Sequence, residues 1–185
     1  MSIYTGKGDN GETFDLTGKR LSKNDIVIHF LGALDELSSN LGLIKAMLSN
    51  EDAWQVSWLS ACQFIELTQK NLVKMMSHVS DIGNNSFFFT DAEITGIEKQ
   101  IDKLTGSLPK LAKFIIPGKN IIEAQIQIAR TIARRAERYF FAVNEREYLC
   151  REAGVYLNRL SDYLFVLSQQ ESLINDNFIN QITGI

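Results

Sequence analysis

Apolar positions recur along this chain at helical spacing from about Ile26 onward. Leu34, Leu37, Leu41, Ile44 and Leu48 fall at i, i+3, i+7, i+10 and i+14, one face of a helix that Asn50 to Asp52 should end. A second helical pattern runs from about Ala53 to Val79, with Trp58, Cys62, Ile65, Leu72 and Met76 turned inward. A break with Gly83-Asn-Asn-Ser86 follows. Thr90-Asp-Ala-Glu93 then matches a capping box, opening a helix with Ile94, Ile97, Ile101 and Leu104 inward. Gly106 and Pro109 close it, and Phe114-Ile-Ile-Pro-Gly-Lys119 leads into a fourth helix. There Ala129, Ile132, Ala133, Ala136 and Phe140 form one apolar stripe, flanked by Arg130, Arg134 and Glu137. The last helix spans about Glu147 to Leu173. Leu157, Leu160 and Leu164 fill one of its faces, and Asn158, Ser161 and Asp162 another.

Only the first two dozen residues escape this period. Tyr4-Thr-Gly-Lys-Gly-Asp-Asn-Gly-Glu-Thr13 and Thr17-Gly-Lys-Arg-Leu-Ser-Lys-Asn-Asp25 fit neither helix nor strand, and read as a long loop of functional or disordered character. Five helices with short connections and no alternating strands predict an all-α bundle. The expected organisation is a loop over residues 1–25, a single helical domain over 26–175 and a tail over 176–185.

Composition changes this picture little. A chain of 185 residues, 45% hydrophobic and 22% charged, is long enough for one full core. The net charge of −3 argues against general nucleic-acid binding, so the basic cluster on the fourth helix is a local feature. Cys62 and Cys150 lack metal-ligand spacing and read as reduced thiols. With no leader-like start and no apolar run long enough to span a bilayer, a soluble, membrane-free chain is expected, cytoplasmic or else a processed matrix form.

Three features bear on chemistry. Gly6-Lys-Gly-Asp-Asn-Gly11 matches G-x-G-x-x-G in form, but lacks the preceding strand and following helix of a dinucleotide fold. Two readings remain: a glycine loop able to offer backbone N–H groups to an anion, with Lys7, Lys19, Arg20 and Lys23 nearby, and a merely flexible basic arm. On the fourth helix, Arg130 and Arg134 are like charges at i, i+4, which repel, so something negative should sit opposite them. Two readings stay open: an oligophosphate site and a structural ion-pair network. Glu137, at i+3 from Arg134, is placed to hold its guanidinium. His29 and His78 read as surface or core side chains, no residue is assigned as a metal ligand, and nothing recommends a protein nucleophile.

In ordered blocks from about Ile3 to Leu167, the chain resembles the PduO-type ATP:cob(I)alamin adenosyltransferases. The resemblance rests on Tyr4-Thr5 with Gly8-Asp9 and Gly11, on Gly18-Lys19-Arg20 with Ser22-Lys23-Asn24-Asp25, and on Gly32 with Leu34-Asp35-Glu36-Leu37. It continues in Phe114-Ile-Ile-Pro-Gly118, and most specifically in Ala129–Arg138 together with Leu157–Tyr163. It implies a homotrimer of five-helix bundles with ferritin-like up-and-down packing, binding ATP with Mg²⁺ between subunits. The implied reaction moves the adenosyl group of ATP onto the cobalt of a reduced cobalamin or cobinamide. By the same resemblance, Thr5, Gly6, Lys7, Gly8, Thr13, Phe14 and Lys23 wrap the nucleotide. Arg134, Arg135, Ala136, Glu137 and Arg138 hold phosphates and ribose, and Asn158 contacts the nucleotide. Asp35 pairs with Arg130 across the subunit interface, and Phe114 faces the corrinoid and helps displace its lower axial ligand. A reductase supplying electrons and an acceptor enzyme for the product are the implied partners. The chain departs from the family pattern at Lys7, Asn10 and Lys119, and over Lys70–Met76. The rivals are a trimer that binds ATP or adenosylcobalamin as a carrier or sensor, and an inert bundle subunit.

Overall fold

The structure, a computed structural model, describes residues 4, 6–50, 56–81, 89–110, 114–147 and 149–183. Its order is β1 (Glu12–Phe14), β2 (Arg20–Ser22), α1 (Ile26–Asn50), α2 (Val56–Ser80), α3 (Asp91–Thr105), α4 (Ile121–Asn144) and α5 (Arg151–Thr183). Thr5 and the Gly83–Ser86 break lie outside the described residues.

Three of the helices begin where a side chain satisfies free N–H groups. The Val27 N–H donates to Asp25 Oδ1 (2.9 Å), opening α1. The expected capping box opens α3: Ala92 N–H donates to Thr90 Oγ1, and Thr90 N–H to Glu93 Oε2. Asn120 caps α4 through a 2.7 Å bond from Glu123 N–H. α5 starts later than the pattern suggested and runs past Leu173 to Thr183.

The inward stripes become the core. Leu34, Leu37, Leu41 and Ile44 of α1 are buried, as are Ala129, Ala133, Ala136 and Phe140 of α4 and Leu157, Leu160 and Leu164 of α5. α4 packs between α1 and α5, α2 lies on α1, and α3 on α5. α2 also reaches α5, because Phe64 of α2 stacks edge-on against Tyr163 of α5 (4.7 Å) and Asn71 Nδ2 donates to Tyr156 Oη (3.2 Å). Burial raises both tyrosine hydroxyls above their ordinary pKa, so they stay protonated.

The N-terminal segment corrects the sequence reading, since part of the expected loop is a hairpin. β1 and β2 pair antiparallel with Thr13 opposite Leu21. Strands of three residues are too short to leave a period. Their turn is built by Asp15, whose Oδ1 accepts from Thr17 Oγ1, Thr17 N–H and Lys19 N–H. The Thr17 hydroxyl above all holds that carboxyl below its usual range. Gly18 sits at φ +83°, a conformation glycine reaches without strain.

Two consequences are measurable. Gly154 of α5 faces the Phe140 ring so closely that an added Cβ would lie 2.4 Å from Cε1. Phe140 is itself wedged edge-on against Phe30 and Phe141. Gly154→Ala therefore loses stability by about 1–3 kcal/mol in urea unfolding, overpacking outweighing alanine's helix preference of about 1 kcal/mol. Separately, burial pushes the His78 imidazole below its ordinary pKa. The unfolded chain then binds the extra proton first, so stability present above about pH 6.5 is lost as pH falls below it. His78→Phe should flatten that part of the melting-temperature profile.

Candidate active site

The outward flank of α4 carries the predicted arginine row. Its buried stripe of Ala129, Ala133 and Ala136 fixes the helix against its neighbours, which turns Arg134 and Arg138 to solvent and leaves Arg130 and Arg135 half-buried. Each arginine is held differently. Arg130 Nε donates to Gln127 Oε1 (2.7 Å), and Gln127 Nε2 donates to Ser168 Oγ of α5 (2.9 Å). Arg135 forms an ion pair with Glu36 of α1. Arg138 Nη1 donates to the Arg134 carbonyl (3.1 Å). The Arg134 guanidinium takes no hydrogen bond or ion pair among the described residues.

Glu137 does not hold Arg134, contrary to the sequence expectation. Its Oε1 accepts from Asn158 Nδ2 (3.0 Å), because the bundle brings α5 closer to it than the next turn of its own helix. Asn158 Oδ1 in turn accepts from Arg159 Nη1 (2.9 Å), whose Nε donates to Glu98 Oε1 of α3 (2.9 Å). The amide is thus oriented from both ends. Glu137, Asn158 and Arg159 line a groove of ≈ 430 Å³ with Phe141, Asn144 and Val155.

The remaining predicted residues occupy other parts of the chain. Gly6 (φ +68°) and Gly11 (φ +81°) shape the loop before β1. Lys23 lies over it, with Nζ 3.2 Å from where a Gly8 Cβ would stand, and its N–H donates to the Gly11 carbonyl (2.8 Å). Lys7 is exposed, Thr13 half-buried in β1, and Phe14 half exposed. Asp35 is exposed on α1 and is not paired with Arg130 in the single chain, where Arg130 Nε is engaged by Gln127. Phe114 is fully exposed (105%), and Ile116 nearly so. Beside that loop, Leu108, Pro109, Phe165, Val166 and Leu173 line an apolar groove of ≈ 490 Å³, with the Lys119–Asp176 ion pair on its rim.

Sequence reasoning missed Gln127, Arg159 and Glu98. Gln127 stands at i−3 from Arg130, a spacing that could have pointed to it. Arg159 and Glu98 are joined only by the tertiary fold.

The comparisons with known proteins decide the family. The model of the family described as cobalamin adenosyltransferase matches residues 3–171. The chain belongs to that family. It is 34% identical to a corrinoid adenosyltransferase of Citrobacter freundii, over 94% of this chain and 97% of that one. A corrinoid adenosyltransferase of Bacillus subtilis (strain 168) is 33% identical, over 91% and 86%. Among solved structures, a variant of a PduO-type ATP:corrinoid adenosyltransferase from Lactobacillus reuteri, complexed with cobalamin and ATP, superposes with a TM-score of 0.82. That match is 28% identical and covers 95% of this chain and 93% of the other. Within the arginine row, Arg135 has a carboxylate partner among the described residues, Glu36 of α1, and Arg134 has none.

Proposed function

We infer that this chain transfers the 5′-deoxyadenosyl group of ATP to the cobalt of a reduced corrinoid, releasing triphosphate. The observation that carries it is Arg134, exposed and uncommitted among the described residues, in mid-row between Arg130 and Arg138, in a member of this family. The reaction asks little of a protein nucleophile. The electron pair on Co(I) attacks C5′ in line, the C5′–O bond breaks, and its pair leaves with the triphosphate. The protein's part is to align the two substrates and to neutralise the charge growing on the leaving oxygens. Arg134, Arg135 and Arg138 are suited to this, since a guanidinium grips two phosphate oxygens at once.

Residues 1–25 serve as the nucleotide-binding segment, with the Thr5–Gly8 loop, Thr13, Phe14 and Lys23 around ATP, and Asn158 on the nucleotide. The bundle over 26–175 serves as the frame. The described residues offer no cluster of three or more carboxylate, histidine or cysteine groups. A magnesium ion bound together with the triphosphate would neutralise part of the charge on its oxygens beside the arginines. Asp35 and Arg130, unpaired with each other in one chain, meet across the interface of a homotrimer, which sets the nucleotide between subunits. Phe114 faces the corrinoid, with the neighbouring apolar groove receiving the ring's flank. A reductase delivers the electron to cobalt, and an adenosylcobalamin-dependent enzyme takes the product. No described helix is long and apolar enough to cross a membrane, and the cytoplasm is the proposed compartment.

The test incubates the protein with ATP, Mg²⁺ and chemically reduced corrinoid and follows the adenosylated product. Binding without product would establish a carrier. Absence of the roughly 2.7 kcal/mol stabilisation that ATP at a hundred times its Kd confers would leave an inert bundle.

A further inference from the structure

Glu123 is fully buried (0% exposed), although it stands in the first turn of α4, where a carboxylate normally faces water. Its Oε2 accepts from the Gly118 N–H (2.7 Å) and the Lys119 N–H (3.1 Å). Its own N–H donates to Asn120 Oδ1, and Asn120 Nδ2 donates to Glu171 Oε1 (3.1 Å), another buried carboxylate. Its second oxygen, Oε1, is buried with no hydrogen bond among the described residues.

Capping does not explain this arrangement. Asn120 already caps α4, and a glutamate left in water would complement the helix dipole without losing its hydration. What the burial achieves is attachment: the turn at Pro117–Lys119 is fastened to α4. On its other side, Lys119 pairs with Asp176 of α5. Gly118 sits at φ +110°, so the chain reverses there in a form other residues resist. A few residues upstream, Phe114 and Ile116 stand exposed without packing of their own.

We propose that Glu123 is a positioning residue for the corrinoid side of the reaction: it fixes the turn from which Phe114 is presented. The proposal rests on the reading that Phe114 faces the corrinoid. Glu123 touches neither substrate and moves no proton. Its effect is to spare the Phe114 loop the conformational freedom that would otherwise be lost when corrinoid binds.

The experiment compares E123A, E123Q, F114A and the E123A/F114A double variant, each starting from Co(II) with a reductant and from pre-reduced Co(I). E123A should slow the Co(II) reaction by about 10- to 100-fold, the cost of a misplaced reacting partner. Its ATP KM and its Co(I) rate should stay within about twofold of wild type. E123Q should behave like wild type, because one acceptor oxygen suffices for both N–H groups. The double variant should be no slower than F114A alone, since both act through one loop. If E123A does not fold, Gly118→Ala displaces the same turn on the surface and should give the same pattern. Additive losses, or equal damage to ATP and corrinoid parameters, would overturn the proposal. F114A with normal corrinoid kinetics would instead defeat the reading of Phe114 beneath it. An impaired F114A beside a normal E123A defeats the Glu123 assignment alone.

Discussion

Arg134→Lys keeps the fold and the charge and loses on the order of 10²-fold or more in turnover, as removal of an oxyanion-type donor does. The side chain lies outside the core, so its exchange costs little packing. Lysine delivers a point charge where arginine delivers a planar fork, and a triphosphate leaving group needs several oxygens held together. Arg138→Lys should cost less, because Arg138 already spends one donor on the Arg134 carbonyl. Steady-state kinetics with saturating reduced corrinoid on both variants gives the comparison. Wild-type turnover by Arg134→Lys would make the cluster an ion-pair network and remove the ATP site from α4.

Phe114→Ala leaves ATP affinity nearly unchanged and slows adenosylation from Co(II) by about 10- to 100-fold. That range is the rate equivalent of the roughly 1.5–3 kcal/mol gained by burying one phenylalanine side chain. Phe114 is fully exposed in the single chain, so its removal takes nothing from the core. Whatever it contributes, it contributes outside this chain's own core. With pre-reduced Co(I), where no axial ligand has to be displaced, the variant should recover most of its rate. Equal loss from both oxidation states would reduce Phe114 to a packing residue at a contact between chains.

The helices were legible because each is long enough to repeat its apolar period several times. Leu34 to Leu48 lie where the spacing put them, and the capping box at Thr90 opens α3 as its residues demand. The hairpin was not legible, because Glu12–Phe14 and Arg20–Ser22 are each shorter than two periods of alternation. The arginine row was visible as residues but not as partnerships. Glu137 looked to be Arg134's neighbour along the helix, yet it bonds Asn158 on another one. Arg159 and Glu98, which orient that amide, are 61 residues apart in the chain, and no local pattern connects them.

Sequence alone determined the all-α architecture, the apolar stripes and the membership of the arginine cluster, since these depend on side-chain identity and the fixed geometry of a helix. Tertiary structure decided that Arg134 is left uncommitted among the described residues, where Glu137 and Asn158 point, and that Glu123 is buried against the turn after Phe114. These are matters of distance between segments remote in sequence. They are settled only when α1, α4 and α5 pack and compete for the same hydrogen-bonding groups.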